Sequence, residues 1–318
     1  MGFYKFYKKY GIYCVLLIVL VFFSLASKSF LSARNLINIL RQISMIGIVC
    51  VGVAIVIISG GSDLSVGGQM AIGGILGAHL MVNLGCPIIV AVLAVLLLTT
   101  CLGMINGLIC NTFAMNPLIV TLGNMLVLNG LAIVVTNGSP IFGLPEKYKW
   151  LGQGYIGFIP TPVIIYIIII ALGIILLNKT YLGRYFYAMG GNPAAARTAG
   201  INVEKFRLVS YMICGFLTGI ASLIMLSRVN SAQPTAGSSY PFDCMTAVCL
   251  GGIAISGGEG SMQGAVIGVI IIGVLDNGLQ LIGCDANLIS SVKGLVLLAA
   301  VAIDSYQKKA KITKAKSR

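Results

Sequence analysis

The chain has 318 residues, 58% of them hydrophobic and 9% charged, with 40 glycines and a formal net charge of +13. No single soluble core hides that much apolar surface, so a water-soluble domain is excluded and the chain reads as an all-α polytopic membrane protein. The charge is no nucleic-acid footprint, because it gathers in segments beside the membrane, where anionic lipid attracts it.

Crossing the hydrocarbon core takes roughly 20 apolar residues, and ten spans are predicted, near 11–29, 36–58, 64–83, 87–110, 117–136, 161–178, 206–228, 242–258, 262–282 and 287–304. The first follows Lys5, Lys8 and Lys9 and contains Ser24-Leu25-Ala26, a pattern shared with secretory signals. Its length and the nine spans behind it identify a retained helix. The third opens after Gly60-Gly61-Ser62-Asp63-Leu64-Ser65-Val66-Gly67 and carries Gly73 and Gly77 four residues apart. Asp63 has no Lys or Arg near it in sequence and is placed to cap that span, where the helix dipole favours an anion. The eighth and ninth are parted only by Gly257-Gly258-Glu259-Gly260, followed by Gly264 and Gly268, so they can form a broken pair that does not fully cross. These glycines are read as helix-packing positions, where small residues let backbones touch.

The loops set the orientation. With the N-terminus inside, the inner segments hold fourteen basic residues, among them Arg184, Arg197, Lys205, Arg207 and the tail 305–318, whereas the outer segments hold six. Positive charge inside then places both termini in the cytoplasm. The outer loop 137–160, with Pro140, Pro145, Trp150 and Tyr155, is an expected rim for a soluble partner. Inside, residues 179–205 form the one long polar interruption, and Met189–Glu204 within it has the build of a short docking helix: a Gly-Asn-Pro start, an alanine-rich turn carrying Arg197, and a closing Gly200-Ile201.

Residues 103–128 align with 273–298, with a one-residue shift, so that Asn106-Gly107-Leu108 falls on Asn277-Gly278-Leu279, Asn116 on Asn287 and Gly123 on Gly294. Asp63 followed by Gly73-Gly74-Ile75 echoes Asp243 followed by Gly251-Gly252-Ile253. The copies cross in opposite senses, so an inverted repeat of spans 2–5 against 7–10 is expected, with a substrate path between the halves. Polar residues inside spans mark that path, and Asn106, Asn124, Asn129, Asp276, Asn277 and Gln280 are the candidates; interhelical hydrogen bonds are their alternative role. Asn129 and Asn277 are expected nearer the substrate, and Asp63 in packing. Asp276 and Lys293, deep in consecutive spans, are expected to form an ion pair.

No catalytic or metal site is evident. The sequence lacks the G-x-x-x-x-G-K-[ST] phosphate loop, and its one histidine, His79, has no nucleophile or carboxylate beside it. Cysteines within spans, such as Cys14, Cys50, Cys101, Cys214 and Cys249, show no paired spacing and read as packing residues.

Four stretches, in order along nearly the whole chain, match motifs of one family. GGSDLSVG is similar to GG-I-DLSVG, PLIVTLGNMLVLNGLA (117–132) to P-F-IVTLG-x-M-x-x-x-R-GLA, GNPAAARTAGI (191–201) to GNPEAARLSGI, and GGIAISGGEGSMQGAVIG (251–268) to GGTSLxGGxGxxxGTxxG. The chain thus resembles the permease subunits of bacterial ABC importers for monosaccharides, the ribose, xylose, galactose and autoinducer-2 group. It departs at Ser62 for Ile, Asn129 for Arg and Ala194 for Glu.

The resemblance implies one permease domain over 1–318 in the inner membrane, needing no cofactor of its own. It also implies two permease copies around the path, a cytoplasmic ABC ATPase, and a periplasmic or lipid-anchored sugar-binding protein. Gly191, Asn192, Pro193, Ala194, Ala195, Ala196, Arg197 and Gly200 would then form the helix that couples to the ATPase, with Arg184 and Arg197 as polar contacts and the alanines as the packing face. Two other readings fit the composition: an ion-coupled secondary transporter using Asp276 and Lys293, and an ABC permease for a nucleoside or a branched amino acid.

Overall fold

A computed structural model describes the chain over residues 2–316, with side chains described for 11–302. Lys5, Lys8 and Lys9 and the basic tail from Lys308 lie outside the described side chains. The chain is built of helices α1 (Gly2–Ala26), α2 (Ala33–Ile58), α3 (Val66–Ala78), α4 (Ile88–Thr112), α5 (Pro117–Thr136), α6 (Trp150–Gln153), α7 (Thr161–Lys179), α8 (Tyr181–Gly191), α9 (Pro193–Thr198), α10 (Val203–Val229), α11 (Tyr240–Leu250), α12 (Met262–Leu281) and α13 (Ala286–Lys316). Among the described residues, six of these helices, α2, α4, α5, α7, α10 and α12, are long and apolar enough to cross a membrane, and α1 and α13 each contain a shorter apolar stretch, Gly11–Ala26 and Ala286–Ala302.

Local chemistry sets the helix ends. Ser32 accepts from the Asn35 N–H to start α2, Asn116 from Leu118 to start α5, Asn202 from Lys205 to start α10, and Ser261 from Gly264 to start α12. Each oxygen satisfies an N–H that the helix itself leaves open. Asn137 and Asn230, with φ of 49° and 57°, turn the chain out of α5 and α10 through the left-handed region.

The central pair is α2 and α10. Every residue of α2 from Ile43 to Ile58 is buried, which explains why this run is apolar all round. The two helices are antiparallel: Ser59 at the end of α2 meets Ser210 early in α10, with the hydroxyl oxygens 3.1 Å apart, while Met45 meets Arg228 at the far end. α3 and α4 pack on α10, α11 and α12 pack on α2, and α5 and α13 lie outside α3 and α11 respectively.

Two predicted spans are shorter than expected. α3 has 13 residues before a single π-helical turn, His79–Asn83, and α11 has 11, which at 1.5 Å per residue is about 16 Å, half of a ~30 Å hydrocarbon core. The span expected at 242–258 ends at Leu250 because Gly251 and Gly252, the latter at φ +78°, take the chain out of the helix. Ile253 and Ala254 remain buried but belong to a loop.

The 137–160 loop is ordered on the bundle. Strand β1 (Ile141–Phe142) pairs antiparallel with β4 (Ser231–Ala232), and β2 (Tyr155–Ile156) with β3 (Ile159–Pro160). The Tyr148 hydroxyl donates to the Leu223 carbonyl at 2.8 Å, and Ser227 Oγ accepts from the Gly152 N–H at 2.8 Å, which fastens α6 to α10. All nine cysteines are free thiols; Cys50, Cys214 and Cys249 are buried, and Cys14 is exposed.

Candidate transport path and coupling site

The segment after α2 is the hub of one end of the bundle. Gly60, at φ +84°, closes the last turn, and the Gly61 N–H returns to the Val56 carbonyl at 2.9 Å. Tyr211 of α10, fully buried, holds the next peptide from both sides: its hydroxyl donates to the Ser62 carbonyl at 2.9 Å and accepts from the Ser62 N–H at 3.3 Å. Thr121 of α5 accepts from the Leu64 N–H at 3.1 Å. Three helices thus fix a non-helical segment at its backbone groups, which is how irregular backbone survives within a bundle.

Asp63 is buried in this segment. Its Oδ1 accepts from the Ser65 N–H at 2.9 Å and the Ser65 hydroxyl at 2.7 Å, so the carboxylate serves the residue before α3 and not the first turn of the helix. Asn106 donates to Ser65 Oγ at 2.8 Å, Gln69 donates to the same oxygen at 2.7 Å, and Asn124 donates to Asn106 Oδ1 at 2.7 Å. The structure therefore brings Asp63, Asn106 and Asn124 into one network linking α3, α4 and α5. Asn129 is half-buried farther along α5, beside Gly68.

A cavity of about 590 Å³ opens beside this hub. Gly60, Gly61 and Ser62 form one wall, the stretch from Ala114 to Pro117 with Cys110 another, and Arg207, Ile255 and Ser256 the rest. Against the cavity wall lies a three-way glycine junction. The Gly258 N–H donates to the Ile58 carbonyl at 2.9 Å. A Cβ on Gly257 would lie 2.8 Å from the Gly60 Cα, and one on Gly190 would strike the Ile58 carbonyl oxygen. Gly257 and Gly258 also take φ of +84° and +73°, which L side chains rarely adopt. The junction joins the end of α2, the end of α8 and the loop before α12, backbone to backbone. Gly264 and Gly268 continue such contacts along α12, against Gly251 just past α11 and Ala247 within it, while Gly73 and Gly77 of α3 face α4 and α10, and Gly67 faces Gly237 and Pro241. Gly260, at φ +127°, packs on Ile253.

From this junction α9 projects. Asn192 Oδ1 accepts from the Ala195 N–H at 3.0 Å, Pro193 fills the first helical position, and Gly200 at φ +83° ends the turn. Ala196 is buried, whereas Gly191, Asn192, Pro193, Ala194, Ala195 and Arg197 are exposed, as is Arg184 on α8. Arg197 pairs with Glu204 at 2.6 Å, both about half exposed, so its guanidinium already has a partner within the chain. Arg207 reaches Asn111 at 3.2 Å, and Asn111 reaches the Glu204 carbonyl at 2.8 Å, tying α4 to the start of α10.

The other polar candidates gather toward the opposite end. Lys293 Nζ lies 2.6 Å from Asp276 and 3.2 Å from Asp243. Asp276 also accepts from Gln280 at 2.9 Å and from Gln42 of α2. Asn277 makes a reciprocal amide pair with Asn35, at 2.9 and 3.0 Å, and is 7% exposed. Its side chain is thus engaged across the α2–α12 boundary. Asn35 and Gln42, absent from the sequence-derived set, are polar residues near and within the second predicted span. That was the available signal.

The chain matches, over residues 35–301, the model of the family described as branched-chain amino acid transport system / permease component. It is 42% identical over 286 residues to the ribose import permease protein RbsC of Escherichia coli (strain K12), covering 89% of each chain. It is 42% identical over 283 residues to the protein of that name from Bacillus subtilis (strain 168), covering 88% of each. With the xylose transport system permease protein XylH of Haemophilus influenzae (strain ATCC 51907 / DSM 11121 / KW20 / Rd) it shares 34% identity over 350 residues, covering 91% of this chain and 93% of the other. No solved structure matches. A bundle of apolar helices with a capped surface helix rooted in a glycine junction, matched by that model over most of its length, belongs to the branched-chain amino acid transport system / permease component family.

Proposed function

We propose that the chain is the membrane permease subunit of an ABC importer for a ribose-like monosaccharide, one domain over 1–318, driven by a separate cytoplasmic ATPase. The observation that carries this reading is 42% identity across nearly the whole length to ribose import permeases. The exposed, capped α9 gives a motor a place to grip. Because Gly190 and Gly191 at its base touch Gly257 and Gly258, and Gly60 lines the cavity, displacement of α9 would move the cavity wall directly.

With ten crossings, α3 and α11 crossing together with the π-helical turn and the buried loop that follow them, and with both termini cytoplasmic, α9, the 590 Å³ cavity and the basic segment 179–205 would lie on the inner side, as the positive-inside rule asks. The inverted repeat draws support from the packing pattern: α10 with α3 and α4 matches α2 with α11 and α12, and α2 and α10 run antiparallel. The short α3 and α11 correspond in it. A sugar-binding protein would dock on the outer rim, where Trp150, Tyr155 and Phe158 are exposed. A second permease copy would complete the path, with lipid around the pair in the inner membrane.

Exposed Ala195 on α9 provides the test. In Ala195→Glu, an anion with no partner enters a close helix-to-groove contact, a change interfaces rarely tolerate. Expected is a loss of ATP-driven uptake of at least about tenfold, the equivalent of roughly 1.4 kcal/mol, with normal membrane abundance and normal docking of the binding protein. Uptake at the wild-type rate would make α9 a mere connector.

A further inference from the structure

A pocket of about 340 Å³ with both polar and apolar walls lies at the opposite end of the bundle from the larger cavity, between the start of α11 and the middle of α13. Ser238, Ser239, Asp243, Thr246, Ser290 and Lys293 line it, and Phe242 and Leu297 supply apolar faces. Its volume is at the low end of small-molecule sites, which run about 300–1,000 Å³. Lys293 stands seven residues into α13, about 10 Å along the helix.

Ser238, Ser239 and Ser290 are exposed on the protein surface, beside a buried ion pair. Hydrocarbon is a poor neighbour for such a mouth, and ionisable groups at membrane depth characteristically face a bundle interior or a watery path. In the pocket wall the Lys293 ammonium meets Asp243, and behind it meets Asp276, which Gln42 and Gln280 hold. Carboxylate oxygens only accept and the ammonium only donates. An anionic ligand would be repelled by the aspartates, and a cation would compete with Lys293. A molecule with several neutral hydroxyls both donates and accepts, and the Phe242 ring, 48% exposed, offers a face for its C–H groups.

We propose that this pocket is the outer contact site of the path, where a neutral polyol such as a pentose is held by Asp243, Lys293 and the surrounding hydroxyls, with Asp276 positioning Lys293. The proposal rests on the importer reading above and adds the residues that meet the substrate first.

Ser239→Cys and Ser290→Cys, each in the full chain reconstituted with its ATPase and binding protein in liposomes, test it. Leu93→Cys on the apolar outer face of α4, 61% exposed, marks a lipid-facing position, and the wild-type chain gives the background of native thiols. Expected is modification of both serine-site cysteines by a charged, membrane-impermeant thiol reagent added outside, slowing at least severalfold with saturating ribose and binding protein, and loss of uptake once modified. Modification only by a lipid-soluble maleimide, as at Leu93→Cys, overturns the proposal. So does full uptake after modification, or labelling that ribose leaves unchanged. Absence of ATP-driven ribose uptake by the unmodified complex would instead fail the importer reading, while the accessibility of the two cysteines still decides whether the pocket faces water.

Discussion

Lys293→Met is expected to lower the stability of the chain by about 3–5 kcal/mol, the usual effect of removing one partner from a buried charge pair. Lys293 is the only cation within reach of Asp243 and Asp276 among the described residues, at 3.2 and 2.6 Å, and all three are largely buried. Methionine fills the same space but leaves Asp243 and Asp276, both largely buried, without a counter-charge, so the effect is electrostatic and not one of packing. Membrane abundance and the thermal midpoint in detergent should both fall. Adding Asp243→Asn should recover part of the loss, because it removes one of the stranded charges. An unchanged midpoint in Lys293→Met would show that the cluster is already hydrated or neutral and holds nothing together.

Gly257→Val is the second large effect. At φ +84° any L side chain costs about 1–3 kcal/mol, and the new Cβ would meet the Gly60 Cα at 2.8 Å with backbone on both sides, where nothing flexible can yield. The junction between α2, α8 and the loop before α12 must then open. ATP-driven uptake per molecule in the membrane is expected to fall by more than abundance does, since the same contact links α9 to the cavity wall. Gly123→Ala on α5, where a Cβ meets nothing within 4 Å, is the control and should be neutral or slightly stabilising. Equal losses in uptake and abundance would reduce the junction to a packing feature.

Much of this architecture is written in hydropathy. The long helices α4, α5, α7 and α12 lie within a few residues of the spans read from sequence, because about 20 apolar residues and a cap or a proline leave little freedom. The cap of α9 was legible for the same reason, as Gly-Asn-Pro before an alanine run has few alternatives. The shortness of α3 was not legible, whereas the glycines at 257–260 already allowed the eighth span to stop short of a full crossing. Ile253 and Ala254 are as apolar in a buried loop as in a helix, so hydropathy alone does not mark the stop that Gly251 and Gly252 make.

Side-chain partnerships were the least legible. The bond of Asn277 to Asn35, 242 positions away, has no signature in the sequence. Gln42 and Asp243 complete the Lys293 cluster, yet Asp243, which the sequence shows only as the echo of Asp63, is not recognisable as a partner of Lys293 without the fold that brings α2, α11, α12 and α13 together. The glycine motifs could be recognised as close-packing sites one by one. That Gly60, Gly190 and Gly257 pack on one another is a tertiary fact with no local signature.

The central claim is that this chain passes a ribose-like sugar only when a separate ATPase works on α9. Uptake of labelled ribose into liposomes holding the chain tests it most directly, measured with and without ATPase, binding protein and ATP, and again with only a proton or sodium gradient. Accumulation should require ATP and both partner proteins and be indifferent to the gradient. Accumulation driven by the gradient alone, without ATPase or binding protein, would contradict it.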